Sequence, residues 1–545
     1  MSPQSNKVQL AKYYRNLRFL IIDDFDSFRL SIKQMVSSCG VEKIDTAISG
    51  EAALRRCQEE RFDVIICDYN LGEGKNGQQV LEEMRTSGLL KNTGVFIMVT
   101  AETAKDMVMG ALEYLPDAYI TKPLTKNVLH ERLDRLIEQR ETLKPINSAI
   151  DEGDDKKAIA LLVLEIKKET RYILWCLRTL ANLYYHDKQY EKSRKIYDEV
   201  LTKRDIGWAR LGMGRVKAAI GEVDDAVKDF SHVLDVNPNV IEAYDELADA
   251  YLKLNRHKDA QKTLEDAVGI SPHAFTRQKK LAEVCTNNND VEAAAGAFKA
   301  TMKLGFNSMH DSPENYLNLG RCLAEISEGD TSEEGKKRAK EAVHTMQRVA
   351  KKFKDDPGVR MNAALIEART HKGQGDERKS DEIFAKAKKL LKESETDPYT
   401  QLEFAKTLYS MGESDEAESI LFKLANEQKD DPKLIKAINE LLDEPVSLQA
   451  KVKARKLNKD GIKAFESGDL DGAIALFTDA LECTPKHPAL NLNIVQVTLK
   501  MIKDNGKTGS LVERCKTSLK NVQHIPEQHK QFKRLQFLEN KVAQL

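Results

Sequence analysis

Four apolar runs in the first quarter of the chain each lead directly into a residue able to do chemistry. Asp23 and Asp24 follow FLII (19–22), Asp68 follows VIIC (64–67), Thr100 follows VFIMV (95–99) and Lys122 follows AYIT (118–121). Carboxylates brought together repel, and ionising all of them is costly without a cation. A hard divalent ion such as Mg²⁺ takes oxygen ligands, keeps several waters and is held by one or two carboxylates plus phosphate oxygens. A carboxylate is also a nucleophile toward phosphorus, giving an aspartyl-phosphate. A metal, an ammonium and a hydroxyl beside it would stabilise the added phosphoryl charge.

That chemistry requires the four runs to end at one place. The runs are short and β-branched, with amphipathic stretches between them, and a weaker strand fits KIDTAI (43–48). Apolar runs of this kind suit strands buried on both faces, and intervening helices imply a parallel sheet. The expectation is an α/β doubly wound, five-stranded parallel sheet with five helices over residues 17–140. An N-terminal arm (1–16) precedes it and a linker (141–150) follows. In such a sheet the ligand crevice lies at the carboxyl ends of the strands, where these residues fall.

From about residue 146 the strand signal stops and small residues recur at a fixed period. Ala226, Ala260 and Ala294 are spaced by 34, as are Pro238 and Pro272. Tyr244, Leu247, Ala248 and Tyr251 share one helical face; Ala260, Leu264 and Ala267 share a second. Gly461, Ala464, Ala473, Phe477, Ala480 and Pro485 repeat the frame, and weaker frames centre on Ala158, Ser193, Ala294 and Ala417. The pattern resembles the tetratricopeptide repeat (TPR), which implies an all-α solenoid of paired helices. Repeats are expected over 151–430 and again, with a cap, over 454–545. The interval from Ala294 to Ala417 does not fit the period, and EGDTSEEGKKRAKEA (328–342) is highly charged. Longer helices or an insertion are therefore expected in an irregular segment near 325–395, and a connecting segment over 431–453.

The motifs LIIDDFDSFR (20–29), IICDYNL (65–71), VTAE (99–102) and YITKP (119–123) together resemble the receiver domain of two-component response regulators, of the chemotaxis-regulator type. The resemblance implies that Asp68 accepts the phosphoryl group. Asp23, Asp24, Asp68 and the Asn70 backbone carbonyl would then bind Mg²⁺. Thr100 and Lys122 would contact the phosphoryl group, and Thr100 and Tyr119 would form the switch. The side chains of Asn70 and Glu102 sit where the family tunes dephosphorylation, implying a short-lived phosphoryl state. DYNLGEGKNG (68–77) is about one residue longer than the commonest loop, and EYLPDA (113–118) stands where glycine-alanine is more usual. By the TPR resemblance, Trp175, Arg178, Asn182, Trp208, Leu211, Arg215, Glu242, Asp245 and Asp249 fall at groove-facing positions. Both tryptophans have packing inside the solenoid as the alternative.

The remaining sequence narrows the function. The 85 Lys and Arg nearly balance 86 Asp and Glu, so no global field draws the chain to nucleic acid or anionic lipid. The segment from 500 onward carries ten basic and four acidic residues, which reads as a solvated helix face. The eight cysteines form no C-x-x-C pair, and the N-terminus lacks an apolar leader core. Both point to a reducing cytoplasm, and no apolar run reaches membrane-span length. No catalytic motif follows residue 150, no DNA-reading helix-turn-helix stands out, and the eleven histidines are scattered. The expectation is a bacterial phosphorelay response regulator that is not a metabolic enzyme. Its only chemistry would be autophosphorylation and self-dephosphorylation. A histidine kinase or histidine phosphotransfer protein would load it, and the TPR array would bind an unknown protein target. No DNA is expected. The rival readings are a phosphate sink for a shared kinase with a constitutive TPR tether, and a regulated RNA or membrane scaffold.

Overall fold

The computed structural model describes residues 3–101, 116–393, 396–443, 448–523, 525 and 531–544. The chain divides into two compact units, Met1–Ser312 and Pro313–Leu545. The first unit opens with α1 (Pro3–Asn16), β1 (Arg18–Ile22), α2 (Asp26–Ser37), β2 (Lys43–Ala47), α3 (Gly50–Glu59), β3 (Val64–Asp68), α4 (Gly77–Thr86), β4 (Val95–Thr100), β5 (Ala118–Thr121) and α5 (Lys126–Asp151). The five strands form one parallel sheet in the order β2-β1-β3-β4-β5.

The apolar runs become strands because both faces of the sheet are covered. Alternate residues go to opposite sides. Leu20, Ile22, Ile65, Cys67, Phe96 and Met98 pack toward Leu54, Val80 and Leu81 of α3 and α4. Phe19, Ile21, Val64, Ile66, Ile97 and Val99 pack toward Ile32, Leu129, Leu133 and Ile137 of α2 and α5. Every residue of β3 and β4 is buried.

Two segments differ from the sequence reading. The supposed arm contains a helix, α1, because Tyr14 and Leu17 are buried against the second of these faces. The Tyr14 hydroxyl donates to Asp134 Oδ1 at 2.7 Å. The supposed linker is the second half of α5, which runs unbroken for 26 residues with Pro145 inside it. Its buried stripe turns around the helix as it changes partner, because the spacing shortens from four residues to three after Ile137: Leu133 and Ile137 face the sheet, while Leu143 and Ile146 join Leu162, Cys176 and Leu180 of the next helices. Arg140 Nε donates to the Thr93 carbonyl, and the Asp151 carboxylate accepts from the backbone and side chains of Asn92 and Thr93 at 2.8–3.0 Å.

The first unit continues with α6 (Asp155–Lys167), α7 (Ile173–His186), α8 (Tyr190–Lys203), α9 (Gly207–Ala219), α10 (Val223–Val236), α11 (Ile241–Lys253), α12 (His257–Ile270), α13 (Phe275–Asn287) and α14 (Val291–Gly305). The periodic small residues are where helices meet: Ala158, Ser193, Ala226, Ala260 and Ala294 have no exposed surface. A Cβ at Gly212 would lie 2.2 Å from the Tyr197 ring, and one at Gly214 2.4 Å from the Phe230 ring.

The second unit holds α15 (Pro313–Ser327), α16 (Glu333–Lys352), α17 (Pro357–Gly373), α18 (Glu377–Glu393), α19 (Pro398–Met411), α20 (Ser414–Glu427), α21 (Pro432–Asp443), α22 (Leu448–Glu466), α23 (Leu470–Cys483), α24 (Pro488–Asn505), α25 (Gly509–Lys520) and α26 (Phe532–Ala543). The charged stretch at 328–342 leads into α16. Ser332 caps that helix by accepting from Gly335 N, and Ala339 and Ala342 form its buried face beneath the charges. Helices α16 to α18 have 20, 17 and 17 residues, and this lengthening breaks the 34-residue frame. Residues 432–443 of the expected connecting segment are helical.

Candidate functional site

The parallel register delivers the chemistry-bearing residues to one edge. Asp68 is the last residue of β3, paired with Val99, so Thr100 lies one step beyond it on β4. Asp23 and Asp24 follow β1, and Lys122 follows β5. Carboxylate oxygens of Asp23, Asp24 and Asp68 all lie within 4.8 Å of one another. Lys122 Nζ bridges two of them, 3.1 Å from Asp23 Oδ2 and 3.0 Å from Asp68 Oδ2. Asp23 is fully buried and further fixed by local bonds: its Oδ1 accepts from Phe25 N at 2.8 Å, and its carbonyl accepts from Arg29. The Lys122 ammonium also sits 3.9 Å from the centre of the Phe28 ring, a contact that residue spacing does not reveal.

Burial raises the Asp68 carboxyl above its ordinary pKa, while Lys122 pulls the other way. Among the described residues, three carboxylates against one ammonium leave a local excess of negative charge in a cleft that is closed on the Asp23 side. The donor set is all oxygen, and its spacing suits a small divalent ion bridged by carboxylates.

The loop after Asp68 forms one wall. Gly72 and Gly74 both take positive φ, and a Cβ at Gly72 would lie 3.2 Å from Asp24 Oδ2. The Asn70 side chain is exposed and accepts from Gly72 N at 3.3 Å. Lys75 N donates to Glu51 Oε1 at 3.0 Å, tying the loop to α3. The loop ends at Gly77, whose N–H donates to the Tyr69 carbonyl at 2.8 Å. A Cβ there would sit 2.2 Å from the Asp68 carbonyl oxygen, so α4 starts directly behind the acidic cluster. Tyr119 is half-buried on β5, in register with Met98 and packed on the α3/α4 face of the sheet. Glu102 lies outside the described residues.

Residues 19–134 match the response regulator receiver domain family, and 173–204 and 241–273 match tetratricopeptide repeat families. Chemotaxis protein CheY-3 of Vibrio cholerae is 31% identical over 125 residues, which cover 23% of this chain and 95% of that protein. The chain belongs to the response regulator receiver family. Chemotaxis protein CheY of Pseudomonas aeruginosa is 32% identical over 123 residues, covering 23% of this chain and 98% of that one. The CheY-like receiver domain protein of Methanospirillum hungatei JF-1 is 25% identical, covers 23% of this chain and 97% of its own, and superposes with a TM-score of 0.22. By the families and the CheY relatives that it matches, the chain is a response regulator, a receiver followed by tetratricopeptide repeats that suggest protein interaction. No described helix is long and apolar enough to cross a membrane.

The TPR positions expected to face a groove divide into two kinds. Leu211 is buried with Ala226 and Phe230, which removes it from any groove. Trp208 packs edge-on against Tyr197, with ring centres 6.2 Å apart, and the Tyr197 hydroxyl donates to Asn182. Trp175 lines a cleft of about 200 Å³ together with Arg85 and Asp117 of the receiver, so it faces the receiver junction. Arg178 is exposed. Arg215 on α9 pairs with Glu246 at 2.7 Å and Glu242 at 3.6 Å on α11. Asp245 and Asp249 on α11 in turn pair with Arg277 and Lys280 on α13, each at 2.7 Å. These charges form a ladder along the first helices of successive pairs.

Proposed function

We propose that this response regulator accepts a phosphoryl group on Asp68 in a phosphorelay and signals through protein binding by its TPR helices, not through DNA. The observation that carries the reading is the convergence of Asp23, Asp24, Asp68 and Lys122 at one edge of the sheet, beside Thr100. The donor would be a phosphohistidine of a histidine kinase or phosphotransfer protein. An Asp68 carboxylate oxygen forms the new P–O bond as the P–N bond to the imidazole breaks, and the departing nitrogen retains the electron pair and takes up a proton. Asp23 and Asp24, with Asp68 and the Asn70 carbonyl, would hold Mg²⁺, which neutralises the oxygens gathered around phosphorus. Lys122, already within hydrogen-bond reach of Asp68, supplies a second positive charge. Thr100 donates its hydroxyl to the bound phosphoryl group, and Tyr119 follows Thr100 inward. The protein works in the cytoplasm, and its chemistry ends with hydrolysis of the aspartyl-phosphate.

The test is phosphorylation of the full chain by phosphoramidate, read by intact mass. A gain of one phosphoryl group that needs a divalent ion and disappears in Asp68→Asn is expected. Labelling that survives Asp68→Asn sinks the assignment. Capture of partners with and without beryllofluoride and Mg²⁺ then separates adaptor from sink: binding that changes only with Asp68 intact marks an adaptor, and equal binding marks a sink.

A further inference from the structure

The loop behind Asp68 does not end in solvent. It is seated on the end of α14, inside the same compact unit. Lys75 Nζ donates to the Asn307 carbonyl at 2.9 Å, and Gln79 Nε2 donates to the carbonyls of Leu304 and Phe306 at 3.2 and 3.3 Å. Beside them, His310 Nε2 lies 2.7 Å from Glu82 Oε1, and its ring stacks on Phe275 with centroids 4.3 Å apart. A helix C-terminus leaves its last carbonyls without intrahelical donors and carries a partial negative charge. Here the receiver supplies the donors, including an ammonium.

Gln79 makes this contact state-sensitive. Its Oε1 accepts from Asn76 N at 3.0 Å while Asn76 Oδ1 accepts from Gln79 N, the capping box that starts α4. One amide therefore both fixes the start of α4 and caps α14. That start is tied to the residue after Asp68 by the Gly77 N–H bond to the Tyr69 carbonyl, and Gly72 comes so near Asp24 that a Cβ there would lie 3.2 Å from its Oδ2. An ion or phosphoryl group at Asp68 cannot reposition residues 69–77 without moving Lys75 and Gln79 relative to the α14 carbonyls.

We propose that residues 69–82 form a latch on the α14 end, and that loading the acidic cluster releases it. Occupancy of Asp68 is then read at the 304–310 turn of the TPR helices. This rests on Asp68 being the phosphoryl acceptor. It places the readout on α4 and its leading loop, a different surface from the face built by the fourth and fifth strand–helix units. By linkage, whatever releases the latch also tightens loading of the site, by a factor within the usual allosteric range of roughly 5- to 150-fold.

Hydrogen–deuterium exchange on the full chain tests this, with Mg²⁺ alone and with Mg²⁺ plus beryllofluoride, which stands in for the phosphoryl group on a carboxylate. Peptides spanning 69–79 should become more protected. Those spanning 301–311 should exchange at least about tenfold faster, in keeping with that coupling range. Asp68→Ala should show neither change. A response at 69–79 with none at 301–311 overturns the latch and leaves the acceptor reading intact. No response at either overturns both. Separately, His310→Ala lies outside the receiver and should tighten beryllofluoride binding about fivefold or more, titrated through protection of 69–79. An unchanged affinity in a variant whose receiver peptides keep wild-type exchange also overturns the latch.

Discussion

Each unit of the chain buries an acidic centre, and the two are built on opposite charge arithmetic. In the receiver, Asp23, Asp24 and Asp68 share a single ammonium, Lys122. In the second unit, Glu403 on α19 is held by Arg321 on α15 at 2.7 Å and by Arg369 on α17. Burial raises the Asp68 carboxyl above its usual range. Burial also pushes Glu403 up, but Arg369 and Arg321 outweigh it and bring its pKa to about 2. A buried carboxylate is therefore not in itself the mark of a ligand site. What distinguishes the receiver cluster is charge that the described residues leave uncompensated, whereas Glu403 is a structural tie among three neighbouring helices.

The predictions press on this contrast. The largest effect is expected at Glu403: Glu403→Ala takes the shared carboxylate from Arg369 and leaves Arg321 only its more exposed partner Glu314, and breaking a buried pair from one side costs about 3–5 kcal/mol. Denaturant titration, with the α15–α20 transition followed by hydrogen exchange, measures the loss. A cost under about 1 kcal/mol removes the structural role assigned to Glu403.

The acid limb comes next. The folded pKa of Glu403 lies below its ordinary 4.5, so its stabilisation is complete above about pH 4.5 and is lost as pH falls toward 2. The shift is worth on the order of 3 kcal/mol. Melting temperatures between pH 5 and 2 should fall less steeply in Glu403→Gln than in wild type, and parallel curves would refute the assignment.

At the receiver the expected signs reverse. Mg²⁺ at a hundred times its Kd should stabilise the folded receiver by about 2.7 kcal/mol. Calorimetry should show this upshift in wild type and its loss in Asp24→Asn, so an equal upshift in both sets aside the cation site. The smallest effect is Asp68→Asn without divalent ions, expected to stabilise by about 1 kcal/mol through relief of burial and repulsion. Destabilisation there would mean that the Lys122 contact outweighs the repulsion.

The convergence of Asp23, Asp24, Asp68 and Lys122 was legible because each follows a strand whose apolar run is unmistakable, and a parallel sheet brings strand ends together. The TPR helices were legible for a comparable reason: Ala226, Ala260 and Ala294 sit where helices cross, so their spacing records the architecture. Three features were not legible. The first 16 residues are polar enough to pass for an arm, and only the tertiary anchor at Tyr14 turns 3–16 into a helix. Residues 141–150 contain Pro145, and Leu143 and Ile146 leave the phase of the Leu133–Ile137 stripe to meet a different core, so no single apolar face marks the helix as continuous. The seat on α14 is made by Lys75, Gln79 and Glu82, side chains typical of any solvated helix start. Nothing local names the partner of contacts more than 220 residues distant.

The unbroken α5 sets a rule for building and dividing this molecule. Its 26 residues make a rod of about 39 Å on which each residue advances about 1.5 Å and turns about 100°. Its first half belongs to the receiver sheet and its second to the repeat core, with no hinge between them. One residue inserted after Arg140 would therefore turn the helices that follow in the first unit around the receiver by more than a quarter turn. A chimera that grafts another receiver onto these helices must match rotational phase as well as length, and a cut intended to separate the two parts has to be placed outside α5.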